Sequence, residues 1–224
     1  MTAAAVQGWC PGALSPMLSG DGWIVRVRPP AGRLTPAQAL AMADLAERCG
    51  NGFIQLTNRA NLQLRGIRSE AVGPLVAGLT AAGLVDPALS PDAEARLNLL
   101  VDPFWMKAEG IWSHLDTPAL WRLMRDALAA PDAPALPGKF GFAIDLGPRV
   151  RHLHDESADI RVETAWDDLI VRADGASSGR RVADVAAAAA LAIGMARWFV
   201  ASGGVGPDGR GRMRDHLARG AVLP

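Results

Sequence analysis

The segment LTNRANLQLRG, from Leu56 to Gly66, places polar side chains along a stretch that otherwise has the composition of a β-strand. Five of its residues have long or amide-bearing polar side chains, namely Asn58, Arg59, Asn61, Gln63 and Arg65. None of these groups can be buried without cost unless it gains a hydrogen bond or an ion pair. Any fold that contains this segment must therefore leave these side chains in water or supply polar partners for them.

The residues around this segment alternate between strand and helix patterns. GWIVRVR, residues 22–28, has strand character, and LTPAQALAMADLAERCGN is typical of a helix that Thr35 can cap. GFIQLT and ANLQLRGI indicate two strands joined through Asn58 and Arg59, and SEAVGPLVAGLTAAGL indicates a second helix that ends near Gly83. The N-terminal part therefore has the predicted order β-α-β-β-α.

The rest of the chain is predicted to form a second lobe of strands and helices. Arg96 is expected to start a short strand in ARLNLLVDPFW, and Lys139 is expected to start the strand KFGFAIDLG. ADIRVET and DLIVRADG are further strand candidates. Helices are expected over TPALWRLMRDALAA, over residues 181–201 and near residues 210–219.

Composition argues against several function classes. The 23 basic and 23 acidic residues cancel, and no run of like charge indicates a nucleic-acid or membrane surface. Two cysteines, Cys10 and Cys49, with no leader-like segment, are typical of a reducing cytoplasm. The Ala-rich stretch from Val182 to Ala201 contains Asp184 and Arg197 where their charges suit a helix dipole, which favours a buried helix. We therefore expect a soluble cytoplasmic protein without nucleic-acid or membrane partners.

Three further motifs could carry chemistry, and each also has a plain structural interpretation. HLHDE, His152 to Glu156, offers imidazoles and carboxylates to a metal, but such a short set is more typical of a solvent-facing turn. Asp145, Asp155 and Glu163 could act as acids or bases, although exposure is expected because nothing in the sequence pairs them. SGGVGPDGRGRM lacks the Lys-Ser/Thr of a phosphate loop and is predicted to be a flexible connector. We expect no metal site.

Several cations are predicted to lie at strand ends, where a pocket could gather them. Arg26 and Arg28 share one face of a strand because side chains alternate with period two. Arg59 lies at a strand turn, and Arg96 and Lys139 precede other strands. Guanidinium groups suit carboxylates, and a cluster of them is repulsive unless an anion binds. For each residue alone a solvated or salt-bridged role is the alternative, and spacing does not choose between the two.

Taken together, these motifs resemble those of the siroheme-dependent nitrite and sulfite reductases. LTNRANLQLRGI resembles their siroheme-facing strand pair, and WIVRVRPPAGRLT resembles the arginine-rich strand before it. WCPGALSPMLSGDG, NLLVDPFW and LPGKFGFAIDLG are more similar to one branch, the precorrin-3B synthases of aerobic cobalamin synthesis. The resemblance implies an α+β fold, with a nitrite/sulfite reductase ferredoxin-like half-domain over 1–90 and a siroheme-reductase-type α/β lobe over 91–224.

The resemblance also implies a ligand for the polar strand pair, namely a tetrapyrrole that is either a precorrin substrate or siroheme. Guanidinium groups would contact the carboxylates of the macrocycle, and amide side chains would hydrogen-bond the remainder. The predicted tetrapyrrole-binding residues are Arg26, Arg28, Asn58, Arg59, Asn61, Gln63, Arg96 and Lys139. No catalytic residue is predicted.

The sequence departs from the family pattern in two respects. Gly141 stands where the sulfite reductases have a second lysine, which argues against sulfite or nitrite as the substrate. Family members also repeat this unit with pseudo-twofold symmetry, and the second copy holds the four cysteines of a 4Fe-4S cluster that this chain cannot ligate.

The resemblance therefore implies a precorrin-3B synthase-like oxidoreductase, or its N-terminal half, in cobalamin biosynthesis. Its partner would be a second copy of the chain or a C-terminal half that carries the cluster. One alternative is a non-catalytic module for tetrapyrrole binding or subunit interaction. The other is a half subunit similar to the nitrite and sulfite reductases.

Overall fold

The computed structural model describes residues 11–105, 115–147, 150–165 and 168–224. The chain divides into two compact units, Met1–Ala95 and Arg96–Pro224, and each has its own sheet and its own hydrophobic core. The elements up to the division are β1 Met17–Ser19, β2 Gly22–Val27, α1 Pro36–Cys49, β3 Ile54–Leu56, β4 Leu62–Ile67, α2 Val72–Ala81 and α3 Pro91–Arg96. The predicted mixture of helix and sheet is confirmed.

The sheet of the first unit is antiparallel, with strand order β1-β2-β4-β3. Val25 of β2 and Leu64 of β4 are cross-strand partners, and both are fully buried in one core with Leu75 of α2. Because side chains alternate along a strand, the neighbouring pair Arg26 and Gln63 points to the other face of the sheet. The helices therefore cover one face of the sheet, and the polar residues lie on the opposite face.

Helix α1 begins where the sequence predicts, because Thr35 and Gln38 form a reciprocal cap. The Thr35 Oγ1 accepts the Gln38 backbone N–H at 3.2 Å, and the Gln38 Oε1 accepts the Thr35 backbone N–H at 3.0 Å. Strand β1 was not predicted, since three residues carry too little periodicity to be recognised.

Arg96 ends helix α3 and does not start a strand. Ser90 caps this helix by accepting the Ala93 backbone N–H on its Oγ at 3.1 Å, and acidic residues in the first turn suit the helix dipole. The prediction for Arg96 was wrong because the start of this helix was interpreted as part of a loop. The strand that follows, β5, covers Leu99–Val101.

The second unit contains a mixed sheet with strand order β5-β6-β7-β8-β9, in which β5, β6 and β7 run parallel and the other pairs are antiparallel. Helices α4 and α5 contribute Leu120 and Phe199 to its core, which also contains Phe142 and Ile144 of the sheet. The elements after β5 are α4 Thr117–Ala129, β6 Phe142–Asp145, β7 Ile160–Ala165, β8 Asp168–Ala173, β9 Arg180–Val182, α5 Val185–Ala201 and α6 Met213–Ala218.

Helix α5 begins later than predicted because Asp184 caps it. The Asp184 Oδ1 accepts the Ala187 backbone N–H at 2.8 Å, so the residues before the cap are free to form β9. Ala188, Ala192 and Phe199 of this helix are fully buried, as expected for a core helix. No helix among the described residues combines the length and the apolar character needed to cross a bilayer.

The glycine-rich segment after α5 forms a compact loop, which differs from the flexible connector predicted. The Gly206 backbone N–H donates to the Arg210 carbonyl at 2.7 Å. A Cβ atom at Gly211 would collide with the carbonyl oxygen of Gly204. Glycine is therefore required at position 211 because two backbone segments approach each other closely there.

Candidate functional site

A row of polar side chains crosses the face of the first sheet that lies opposite its helices. Arg26 donates to the Gln63 Oε1 from Nη2 at 2.7 Å and from Nε at 3.2 Å, and the Gln63 Nε2 donates to the Gln55 Oε1 at 3.2 Å. The three residues, here called the polar row, are neighbours in the register of β2, β4 and β3. Gln63 is only 7% exposed, so its amide is held between its two neighbours.

Arg65 lies beside the polar row but has an acidic partner. Its Nε and Nη2 contact the Asp21 Oδ2 and Oδ1, each at 3.0 Å, and its Nη1 reaches the Gln55 Oε1 at 3.4 Å. The hydrogen bonds of this ion pair raise the pKa of Arg65 and lower the pKa of Asp21. Asp21 therefore neutralises the charge of Arg65 within the sheet.

The hairpin loop between β3 and β4 carries Asn58 and Arg59. Thr57 closes the loop, because its N–H donates to the Asn61 carbonyl at 2.9 Å and its Oγ1 accepts the Asn61 N–H at 3.1 Å. Ala60 has a φ of 53°, a left-handed conformation that is uncommon for residues other than glycine. Asn58 is exposed, Arg59 is half-buried and Asn61 is buried. The loop lies at the end of the sheet where β2 also ends, since Val27 pairs with Leu62.

Arg28 follows β2 and contacts a buried carboxylate. Its Nη1 lies 3.4 Å from the Glu94 Oε1, and both side chains are less than one-fifth exposed. Glu94 also accepts the backbone N–H groups of Ala13 at 2.7 Å and Leu14 at 2.9 Å. This contact corresponds to the salt-bridged role that the sequence left open for each arginine. A role of Arg28 in binding a ligand stays a prediction.

The last two predicted binding residues, Arg96 and Lys139, lie in the second unit. The Arg96 Nε donates to the Leu128 carbonyl at 2.9 Å, and the Arg96 side chain is half-buried. Lys139 is exposed in the turn before β6. The predicted set therefore divides between the two units, and a direct side-chain contact within it joins Arg26 to Gln63.

Gly141 is buried in a place that has no room for a side chain. A Cβ atom there would lie 2.8 Å from the Asn98 Nδ2, which donates to the Phe140 carbonyl at 2.9 Å. The Gly141 N–H donates to the buried Asp159 carboxylate at 3.0 Å. A lysine at position 141 would therefore require a rearrangement of Asn98 and its hydrogen bond.

Sequence reasoning missed a cluster of titratable groups in the second unit. Atoms of Asp102, Asp145 and His152 that could ligate a metal lie within 4.8 Å of one another. The His152 Nδ1 is 3.1 Å from the Asp102 Oδ1, and both carboxylates are almost fully buried. Burial raises the pKa of Asp145, the Leu153 backbone N–H opposes that rise, and the nearby Asp102 charge adds to it. The available signal was that each acid comes directly after strand residues.

The expected exposure of Asp145 and Glu163 was wrong. They are 3% and 2% exposed, and the Arg172 Nε donates to the Glu163 Oε1 at 2.7 Å. For Glu163 the expectation failed because the pairing of β7 with β8, which brings Arg172 to Glu163, is not visible in the sequence. Asp155 is exposed, and the predicted turn at 152–156 is present.

Comparison with known proteins identifies the class to which the first unit belongs. Residues 15–82 match the family model of the nitrite/sulfite reductase ferredoxin-like half domain. The resemblance predicted from the sequence is therefore confirmed, and the first unit contains such a half domain.

Individual relatives come from more than one branch. The chain is 49% identical over 70 residues to a precorrin-3B synthase from Sinorhizobium sp. The aligned residues cover 31% of this chain and 15% of that protein. The chain is 32% identical over 158 residues to a ferredoxin–nitrite reductase from Leptolyngbya laminosa, covering 67% of this chain and 30% of that protein. The solved Mycobacterium tuberculosis NirA protein has a similar fold, with a TM-score of 0.57 at 21% identity. That match covers 98% of this chain and 42% of NirA, so the chain spans less than half the length of these relatives.

Proposed function

We propose that this chain is the macrocycle-binding half of a precorrin-3B synthase-like oxidoreductase in cobalamin biosynthesis. The observation that carries the proposal is the 49% identity to a precorrin-3B synthase over the N-terminal segment, the part of the chain that contains the polar row. The ferredoxin–nitrite reductase relative is also an oxidoreductase.

The chemistry of the polar row and of the adjoining loop between β3 and β4 suits a tetrapyrrole that carries several carboxylates. Arg26 and Arg59 offer guanidinium groups, which bind carboxylates with two parallel hydrogen bonds. Asn58, Asn61 and Gln63 offer amides for the remaining polar groups of the macrocycle. Arg28, which contacts Glu94, and Arg96 and Lys139 of the second unit stay predicted members of the set. The ligand is a precorrin substrate or siroheme, and the share of this chain is to bind and orient it, because positioning is a large part of catalysis.

The proposed reaction requires a 4Fe-4S cluster whose full set of ligands lies outside this chain. A 4Fe-4S cluster takes four thiolates, and the sequence contains two cysteines. Cys49 is buried in the core of the first unit with a free thiol, and Cys10 lies outside the described residues. When bound, the cluster supplies electron transfer. We propose that a second copy of the chain or a separate C-terminal half completes the enzyme in the cytoplasm.

The binding proposal is tested by titrating siroheme into the wild type and the Arg59→Ala variant. We expect the variant to bind about 10- to 150-fold more weakly, which corresponds to roughly 1.5–3 kcal/mol for hydrogen bonds to charged groups. Arg48→Ala is a matched control, because Arg48 lies on α1 and pairs with Asp44 on that helix. Unchanged affinity with a lowered melting temperature would show that Arg59 has a structural role and would contradict tetrapyrrole binding beside this loop.

Two other functions compete with this proposal. A half subunit similar to the nitrite and sulfite reductases is favoured by the longer match to the ferredoxin–nitrite reductase, while the closed environment of Gly141 argues against it. A non-catalytic tetrapyrrole-binding or subunit-interaction module is favoured by the shortage of cysteines.

Reconstitution separates the three functions. The chain is combined with a candidate C-terminal half, iron, sulfide and a reductant, and is then supplied either with precorrin-3A and oxygen or with siroheme and nitrite or sulfite. Hydroxylated, lactonised precorrin supports the proposed function, and reduction of nitrite or sulfite supports the reductase half. Tetrapyrrole binding without turnover with any partner would leave the non-catalytic module.

A further inference from the structure

Three side chains of the second unit meet beside the parallel strands of its sheet. Asp102 directly follows β5, and Asp145 is the last residue of the adjacent parallel strand β6. The Asp102 backbone N–H donates to the Ile144 carbonyl at 2.9 Å, which fixes the two strand ends side by side. His152 reaches this place from the turn after β6. Open α/β sheets commonly bind ligands at the carboxyl ends of their parallel strands.

The hydrogen bonds of the two carboxylates leave one buried oxygen unsatisfied. The Asp145 Oδ2 accepts the Leu153 backbone N–H at 2.7 Å, whereas the Asp145 Oδ1 is buried and accepts no well-aligned hydrogen bond in the described part of the chain, where the nearby Gly147 backbone N–H only lowers the pKa of this carboxyl group. The Asp102 Oδ1 accepts the Phe104 backbone N–H at 2.9 Å and lies 3.1 Å from the His152 Nδ1. A buried acceptor without a donor is uncommon in native proteins and requires a specific cause.

The charge of the cluster also requires a partner. Asp102 and Asp145 are 2% and 3% exposed, and among the described residues the cluster contains one imidazole, so two ionised carboxylates would give this group of three a net negative charge even with a protonated histidine. Buried like charges repel each other, and each is costly to remove from water. A bound cation would remove the repulsion and would also satisfy the unpaired Oδ1.

We propose that Asp102, Asp145 and His152 form a binding site for a divalent transition-metal ion of the Zn²⁺ class. The potential ligand atoms lie within 4.8 Å of one another. Zinc sites with bonds near 2.0–2.1 Å require ligand separations of roughly 3.3 Å, so binding would draw the atoms together by up to about 1.5 Å. The imidazole favours zinc-like ions over Mg²⁺ and Ca²⁺, which prefer oxygen ligands.

The surroundings of His152 fit this role. Its side chain is 35% exposed, so an ion and a water ligand can approach from that side. The Phe104 ring lies 4.8 Å from the imidazole at 56° and restricts its orientation. The proposal departs from the sequence expectation of no metal site because the two carboxylates come from strand ends outside the HLHDE motif. The other histidine of that motif, His154, pairs with Asp155 at 2.7 Å and is 67% exposed.

The test is titration of the metal-free full chain with Zn²⁺ in a calorimeter, with Co²⁺ absorption as a second probe. We expect one Zn²⁺ per chain, and we expect Asp145→Asn and His152→Gln each to weaken binding by about 100-fold or more. His154→Gln is the matched control and should change the affinity less than threefold. Zn²⁺ should raise the melting temperature of the wild type and of His154→Gln, but not of the other two variants.

Circular dichroism and a melting curve in EDTA establish that each variant is folded before the metal is added. Three results would overturn the proposal. The first is an absence of saturable binding to the wild type. The second is an equal loss of binding in His154→Gln, which would indicate a surface chelate of the two histidines. The third is Mg²⁺ affinity equal to that of Zn²⁺, which would contradict the ion class.

Discussion

Arg26 and Gln63 face each other across β2 and β4, and the Nη2 and Nε of the arginine donate to one amide oxygen at 2.7 and 3.2 Å. The partner that orients the guanidinium is therefore a neutral amide, and this amide is itself held in place by its hydrogen bond to Gln55. A neutral partner leaves the positive charge of Arg26 able to attract an anion, whereas Asp21 neutralises Arg65 beside it. This difference distinguishes a cation suited to ligand binding from one with a structural role.

The first prediction compares Arg26→Gln with Arg65→Gln. We expect Arg26→Gln to weaken siroheme binding by about 10-fold or more, because it removes a charged hydrogen-bond donor. Its effect on the free energy of unfolding should be small, about 0.5–1.5 kcal/mol, because a glutamine at position 26 can still donate a hydrogen bond to the Gln63 Oε1. Arg65→Gln should change the affinity much less. Equal losses of affinity in the two variants would show that Asp21 does not neutralise Arg65 as inferred.

The second prediction concerns Glu94, whose carboxylate accepts two backbone N–H groups of the N-terminal segment and contacts Arg28. Glu94→Gln should lower the free energy of unfolding by about 1–3 kcal/mol, because one buried donor loses its acceptor and Arg28 loses its counter-ion. Urea denaturation measures the change. Glu47→Gln, an exposed substitution on α1, is the control and should change stability by less than about 0.5 kcal/mol. Equal effects of the two substitutions would contradict the structural role of Glu94.

The third prediction is that Asp145→Asn stabilises the metal-free protein at neutral pH. The substitution keeps an acceptor for the Leu153 N–H and removes a buried negative charge beside Asp102. The free energy of unfolding in EDTA should rise by about 1–3 kcal/mol, the usual cost of an unsatisfied buried group. Asp155→Asn, at an exposed position, should have almost no effect. A fall in the stability of Asp145→Asn would mean that the carboxylate is well compensated in the absence of metal.

The fourth prediction concerns pH and His216, which is 5% exposed and whose Nε2 lies 2.7 Å from the Ser202 Oγ. Burial lowers its pKa, and the positive charge of Arg219 lowers it further. Between the folded-state pKa and pH about 6.5, the unfolded chain therefore binds a proton that the folded protein does not bind. The stability contributed by the neutral His216 is complete above pH about 6.5 and falls as the pH drops towards the folded-state pKa.

His216→Gln should reduce this loss, and urea denaturation between pH 5 and 7 measures it. The exposed His154 provides the control, since His154→Gln should leave the pH dependence of the wild type almost unchanged. Identical pH dependence in the wild type and His216→Gln would contradict the lowered pKa.

The sequence by itself determined the features that depend on neighbouring residues. Thr35 starts α1 through a cap that lies within one helical turn, and the alternation of Leu62, Gln63 and Leu64 specifies a strand with one polar face. The motif at 56–66 also identified the half-domain family, which the match over residues 15–82 confirmed. Short elements such as β1, α3 and β9 were missed, because a few residues carry a weak periodic signal and tertiary contacts stabilise them.

Only the tertiary structure decided which polar and charged side chains contact one another. Arg26 contacts Gln63 because β2 pairs with β4, and Glu163 meets Arg172 because β7 pairs with β8. The cluster of Asp102 and Asp145 exists because two parallel strands, distant in sequence, end side by side. Local propensity acts over a few residues, whereas electrostatic contacts depend on strand order and register, which are set by burial of the whole core.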